Sequence, residues 1–213
     1  MDTSVSASVQ NGGSAPLSAG FLDPVHDAQA CFRAIMSVMA RPGTRQKLVL
    51  CAENPPEPLT PAAAAIALTL FDYDTPVWLD RPLMQSEAVK AFLRFHTGAP
   101  ILSEPVEAAF ALLSEPQSMI PLASFNQGSA EYPDQSTTVI LTGQTFGKAQ
   151  AVTLAGPGIK DTTAFSTGPT PPVFWDQVVS NNRLFPRGVD LIFAGTTEVA
   201  ALPRSTRITL TEA

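Results

Sequence analysis

Charged side chains are scarce in this sequence, and cations most of all: of 213 residues, 13 are Lys or Arg and 19 are Asp or Glu. A nucleic-acid surface needs clustered cations to displace phosphate counterions, so a formal charge of −6 excludes a general DNA or RNA binder. Long apolar runs are also missing. The longest, Ala62 to Leu68, is far shorter than the roughly 20 residues of a membrane span, and Asp72 and Asp74 follow it closely. Residues 1–20 have no basic n-region and no apolar h-region, so they are expected to form a disordered tail instead of a secretion signal. The expected folded unit is a single domain over 21–213, in the cytoplasm. Only two cysteines occur, Cys31 and Cys51, in no CxxC arrangement. That usage suits a reducing compartment, with both thiols acting as small core hydrophobes. Two histidines and no GxSxG leave nucleophilic catalysis without local support, and zinc-type Cys/His spacings are absent.

Apolar residues make up 45% of the chain, enough for a sizeable core and too many for a disordered one. Twenty prolines are spread along the sequence and mark boundaries between many short elements. Ala28, Phe32, Ile35, Met36 and Met39 recur at helical spacing from Asp27 until Arg41-Pro42-Gly43 stops the pattern. Arg45 to Leu50 reads as a short strand. Thr60 before Pro61 is an N-cap signature for an Ala-rich helix up to Phe71. A turn through Asp72 and Asp74 leads to a strand at Thr75 to Leu79, and a helix from Ser86 to His96 ends at Gly98. Thr137 to Thr142 and Ala149 to Leu154 are expected to pair as an antiparallel hairpin. Pro171 and Pro172 open a helix carrying Phe174, Trp175, Val178 and Val179. Strands follow at Val189 to Ala194 and Val199 to Leu202. Helices interleaved with apolar strands imply an α/β layered domain, with a mixed sheet because of the hairpin.

Several residue groups admit a chemical and a structural reading. Gly156-Pro157-Gly158 resembles a phosphate cradle but lacks a following Lys-Ser/Thr or third Gly, which suits a tight turn. Asp72 and Asp74 either hold a divalent cation or cap their turn. Near the end of a helix, Arg94 and His96 either meet an anion or satisfy the helix terminus. His26 beside Asp27 is a proton-transfer pair or an N-terminal cap. In Asn181 to Gly188, the apolar Leu184, Phe185 and Pro186 lie between Arg183 and Arg187, as a core plug or an interface anchor.

Six blocks occur in a specific order: Pro24 to Gln29 with Phe32-Arg33, Leu68 to Leu70 leading to Asp74 to Leu79, Leu93 to Thr97 with Ala99-Pro100, Leu154 to Ile159, Phe185-Pro186 with Gly188 to Leu191, and Pro203 to Thr206. Over residues 21–208 they resemble the PhnH family, the H subunits of the bacterial carbon-phosphorus lyase core complex. The resemblance implies a noncatalytic but required subunit of the machinery that uses alkylphosphonates as a phosphorus source. It implies G, I and J subunits as partners and a homodimer in isolation. The complex would form α-D-ribose 1-methylphosphonate 5-triphosphate from MgATP and methylphosphonate, with no cofactor bound by this chain. The implied fold is a three-layer α/β/α arrangement like that of PLP-dependent transferases, without the cofactor. Only Lys47, Lys90, Lys148 and Lys160 could form a Schiff base. The competing reading is an independent phosphonate- or nucleotide-binding enzyme in which Arg33, Arg94 and His96 grip the anion and Asp72 and Asp74 hold Mg²⁺.

Overall fold

A sheet covered on both faces needs strands that are apolar at successive positions, because alternate side chains enter different cores. In the computed structural model, which describes residues 18–147, 149 and 151–210, this pattern builds the central layer. Its strands are β1 (Gln46–Lys47), β2 (Val77–Leu79), β3 (Ile101–Leu102), β4 (Phe110–Leu113), β5 (Thr138–Leu141), β10 (Asp190–Ala194) and β11 (Glu198–Leu202). They are ordered β1-β11-β10-β5-β4-β2-β3. Neighbours run parallel except at β11, which is antiparallel to both β10 and β1.

The first core lies between one sheet face and three helices, α1 (Pro24–Ala40), α2 (Pro61–Leu70) and α4 (Glu87–Thr97). Leu112, Ile140 and Ile192 enter it from the sheet and meet Ile35, the alanines of α2, and Phe92. Ala111, Leu113, Val139, Leu141, Leu191 and Phe193 point the other way, into a second core. That core is closed by α5 (Phe174–Asn182) and by a three-stranded sheet, β12-β7-β8. Its strands are β7 (Val152–Ala155), β8 (Thr163–Phe165) and β12 (Arg207–Leu210). The architecture is therefore layered α/β with a mixed sheet, and one outer layer combines a helix with a small sheet.

Local chemistry accounts for the helices. Asp23 caps α1 by accepting from the amides of Val25 and His26, and the Asp27 carboxylate accepts from the Asp23 amide at 3.0 Å. This reciprocal capping starts the helix at Pro24, three residues before the periodicity suggests. Thr60 caps α2, whose residues Ala62 to Ala67 are all buried. Small side chains let this helix pack against both α1 and α4. Ser86 caps α4, and Gly98 ends it in the left-handed conformation. The five-residue α3 (Arg81–Gln85) is too short for a periodic signal. No helix among the described residues is long and apolar enough to cross a membrane.

The expected hairpin between 137–142 and 149–154 does not form. β5 is the parallel partner of β4 and β10, whereas β7 pairs with β8 and β12. Three consecutive buried residues in β5 mark a strand covered on both faces, while β7 alternates buried with half-buried positions. The intervening segment holds its own strand, β6 (Thr145–Phe146), paired with β9 (Thr167–Gly168). Residues 1–17 of the expected tail lie outside the described residues, as does Lys148. The last three tail residues join the body: Gly20 accepts from the Ala52 amide at 2.8 Å, and the Ala19 amide donates to Glu53 at 2.9 Å.

The Gly156-Pro157-Gly158 turn closes against the C-terminal end of α1. A Cβ on Gly158, whose φ is +78°, would stand 1.9 Å from the Ala40 carbonyl oxygen. Gly158→Ala is predicted to destabilise the protein by about 1–3 kcal/mol, as forced overpacking does. Urea unfolding checks it, and an unchanged midpoint rejects this role for the turn.

Candidate functional site

The segment from Asn181 to Gly188 connects α5 to β10 and is hydrogen-bonded along its length. Asn181 is buried at its base, donating through Nδ2 to the Val189 carbonyl at 2.9 Å and accepting through Oδ1 from the Val189 amide at 2.8 Å. The Asn182 side chain donates to the Arg204 carbonyl at 2.8 Å. The Gly188 amide donates to the Gln127 carbonyl at 2.8 Å. Inside the loop, the amides of Leu184, Phe185 and Arg187 donate to the carbonyls of Asn181, Asn182 and Leu184. These contacts fix the backbone while leaving the tip in solvent: Leu184 is 37% exposed and Phe185 60%, with Pro186, Arg183 and Arg187 also exposed. Leu184 and Phe185 belong to neither core cluster.

Arg204 braces this loop from below. Its amide donates to Asp190 Oδ1 at 2.7 Å, its Nη2 lies 2.6 Å from Asp190 Oδ2, and its Nη1 donates to the Pro133 carbonyl. Both side chains of the pair are largely buried. Burial with bidentate geometry and a third acceptor is the setting in which losing one partner costs most. Two of the sequence blocks, Gly188 to Leu191 and Pro203 to Thr206, therefore meet in space.

Beside the tip, a cleft of about 510 Å³ is walled by Pro121, Leu122, Ala123, Val173 and Leu184. Gln177 accepts from the Leu122 amide at 2.8 Å, and Gln127 donates to the Leu122 and Phe125 carbonyls at 2.8 Å. Among the described residues, Asp176 is the only ionisable one lining it. Tip and cleft thus form one apolar surface suited to receiving side chains of another protein.

The other sequence-derived candidates lie on the helical side. Arg33 is exposed on α1, beside a shallow depression formed with Ala28, Gln29, Phe32 and Thr69. Arg94 is exposed on α4. His96 Nε2 is hydrogen-bonded to the Ser18 carbonyl at 3.0 Å, with its ring centroid 4.5 Å from Phe92 and 5.0 Å from Phe95. No hydrogen bond or ion pair joins these three among the described residues. Asp72 Oδ1 accepts from the Asp74 amide at 3.0 Å and the Asp72 amide donates to Thr75, which is turn capping. Among the described residues no group of three His, Cys, Asp or Glu side chains could hold a metal. His26 pairs with Asp23 at 2.7 Å and not with Asp27. Backbone and side-chain hydrogen bonds from His26 hold the Asp23 carboxyl below its ordinary value. Lys47 and Lys160 are exposed, and Lys90 is paired with Glu87 at 2.6 Å. Cys31 is buried, and burial pushes the Cys51 thiol up to about 11, so neither is poised as a nucleophile.

Sequence reasoning missed Asp80. Its buried carboxylate accepts from the amides of Ser114 at 2.7 Å and Glu115 at 2.9 Å and from the Ser114 hydroxyl at 3.0 Å, tying the end of β2 to the end of β4. The signal was Asp80 two residues before Pro82, an N-cap signature for α3. Burial raises its carboxyl above the ordinary value, outweighing the hydrogen bonds from Glu115, Ser114 and Leu83.

Arg204→Ala is predicted to cost about 3–5 kcal/mol in urea unfolding, because Asp190 is left buried without its cation; a loss within ~0.5 kcal/mol, the range of ordinary surface substitutions, contradicts the brace. Asp80 gives a pH prediction. Between the ordinary Asp value and the raised one, the folded chain binds more protons than the unfolded chain, so stability falls as pH rises through that window. The stability difference between wild type and Asp80→Asn should decline with rising pH over that interval. A pH-independent difference rejects the assignment.

A model of the family described as "Bacterial phosphonate metabolism protein (PhnH)" matches residues 19–209. The chain is 40% identical over 191 residues to the "Alpha-D-ribose 1-methylphosphonate 5-triphosphate synthase subunit PhnH" of Rhizobium meliloti (strain 1021), covering 90% of this chain and 94% of that protein. It is 32% identical over 184 residues to the "Putative C-P lyase subunit protein HtxG" of Stutzerimonas stutzeri, covering 85% and 86% respectively. The motif blocks, the loop they build and the match over nearly the whole chain place it together with these proteins: the chain belongs to the PhnH family of bacterial phosphonate metabolism proteins.

Proposed function

We propose that this chain is a noncatalytic, required subunit of a cytoplasmic carbon-phosphorus lyase core complex, docked on the G, I and J subunits. The carrying observation is the tip at Leu184, Phe185 and Pro186: its backbone is locked by hydrogen bonds while its apolar side chains remain in solvent beside an apolar cleft. A preordered anchor loses little conformational entropy on docking, and burying a Phe side chain contributes about 1.5–3 kcal/mol. Arg183 and Arg187 on either side suit a carboxylate-rimmed socket. Both curated relatives are named as subunits, which supports the same role here.

In this reading the complex forms α-D-ribose 1-methylphosphonate 5-triphosphate from MgATP and methylphosphonate, and this chain supplies shape and contact area. It binds no cofactor of its own, and without its partners it pairs with a second copy. The architecture is read as a cofactor-free relative of the PLP-dependent transferase fold. A seven-stranded sheet with one reversed strand, covered on both faces, supports that extension.

The test is co-purification with affinity-tagged partner subunits. The wild-type chain should be retained, whereas Phe185→Ala and Leu184→Asp should weaken retention by roughly tenfold or more, the scale of an interface hot spot. Phe185→Ala should keep its unfolding free energy within ~0.5 kcal/mol, since the side chain belongs to no core. Retention unchanged in both variants rejects the tip as anchor. Adenine release from MgATP and methylphosphonate by the isolated chain rejects the noncatalytic role.

A further inference from the structure

In an open, mostly parallel sheet, a ligand crevice forms where successive crossovers leave for opposite faces, outside the carboxyl ends of the strands. Here that point lies between β2 and β4. From β2 the chain crosses to β3 through α3 and α4, whose Leu83, Val89, Phe92 and Leu93 pack in the first core. From β4 it crosses to β5 through a segment whose Leu122 and Phe125 pack in the second core. The two chain segments diverge just beyond Leu79 and Leu113, and a cleft of about 560 Å³ opens there. It is separate from the tip and its cleft, and nothing in the docking reading requires it.

The lining has a definite chemistry. Trp78, Pro82, Leu113, Met119 and Ile120 supply apolar walls, with Arg81 and Glu115 as the charged groups at the rim. Asp80 also lines the cleft, but its carboxyl oxygens are engaged by Ser114 and Glu115, which leaves Arg81 and Glu115 as the charged side chains without such partners. Arg81 follows β2 and Glu115 follows the adjacent β4, yet among the described residues neither makes an ion pair, with the other or with any third group. The Glu115 carboxylate receives only a 3.4 Å contact from the Ser118 hydroxyl. A guanidinium and a carboxylate that form no ion pair with each other, beside walls of Trp78, Leu113, Met119 and Ile120 and the polar Gln85 and Ser118, complement a molecule with the reverse charges and an apolar group between them.

We infer that this crevice is a binding site for a small zwitterion bearing an apolar or aromatic substituent, the amino-acid class of ligand, with Arg81 taking its acidic group and Glu115 its ammonium. The substituent lies against Trp78 and Met119. Neither charged side chain braces the fold, so both can be replaced without loss of structure.

The chain has two tryptophans, so 5-fluorotryptophan labelling gives two ¹⁹F resonances, and Trp78→Phe identifies the one from the crevice. The full-length protein is titrated with L-phenylalanine, phenylacetate and phenethylamine. Phenylalanine should move the Trp78 resonance saturably at about millimolar concentration, as expected for a ligand of that size, and bind more tightly than either singly charged analogue. Arg81→Ala should weaken phenylalanine roughly tenfold and leave phenethylamine unaffected, and Glu115→Gln should weaken phenylalanine and leave phenylacetate unaffected. No saturable shift with any probe overturns the site. Equal binding of all three probes, or phenylalanine binding unchanged in both variants, overturns the zwitterion assignment. Co-purification through the tip is read separately and fails or succeeds independently.

Discussion

The constraint on which this structure depends is that its central sheet is buried on both faces. In β4, β5 and β10, successive side chains belong to different cores, so no position along those strands can carry a free charge. The Ala-rich surface of α2 answers the same demand on the helical side, where it packs against α1 and α4 and hides residues Ala62 to Ala67. Charged groups are thereby displaced to strand ends and connecting loops.

At those ends, polar groups hold the layers in register. Asp80 joins β2 to β4 through a buried carboxylate that collects the amides of Ser114 and Glu115. Asp190 and Arg204 join the start of β10 to the end of β11 in the same manner. Each substitutes side-chain acceptors for ladder hydrogen bonds where pairing stops, and each leaves a surface beside it: the crevice beyond β2 and β4, and the tip beyond α5. Around the tip, hydrogen bonds hold the backbone beneath the exposed side chains of Leu184 and Phe185.

The residues with the most familiar chemistry are put to structural use. His96 holds Ser18 near the surface of α4, His26 binds the Asp23 that caps α1, and Asp72 caps its own turn. Gly156-Pro157-Gly158 is shaped by the nearness of the α1 terminus. Family membership rests on the match to the family over residues 19–209 and on 40% identity with a relative over 90% of the chain.

Legible in the sequence was the local part: the cap at Thr60, the helix ending at Gly98, the apolar runs of β5 and β10, and the α/β class they imply. Its blocks also sufficed for the family. Only the tertiary structure decided which strands pair, because apolarity marks β5 as buried without naming its neighbours, and so the expected hairpin gave way to a parallel strand and a separate small sheet. It alone decided that Arg204 meets Asp190 and that Asp80 meets Ser114, pairings between residues distant along the chain. It also decided that Leu184 and Phe185 face solvent. Local energetics act over a few neighbouring residues, whereas these choices depend on how separated segments share two cores, and one residue's preference cannot encode that sharing.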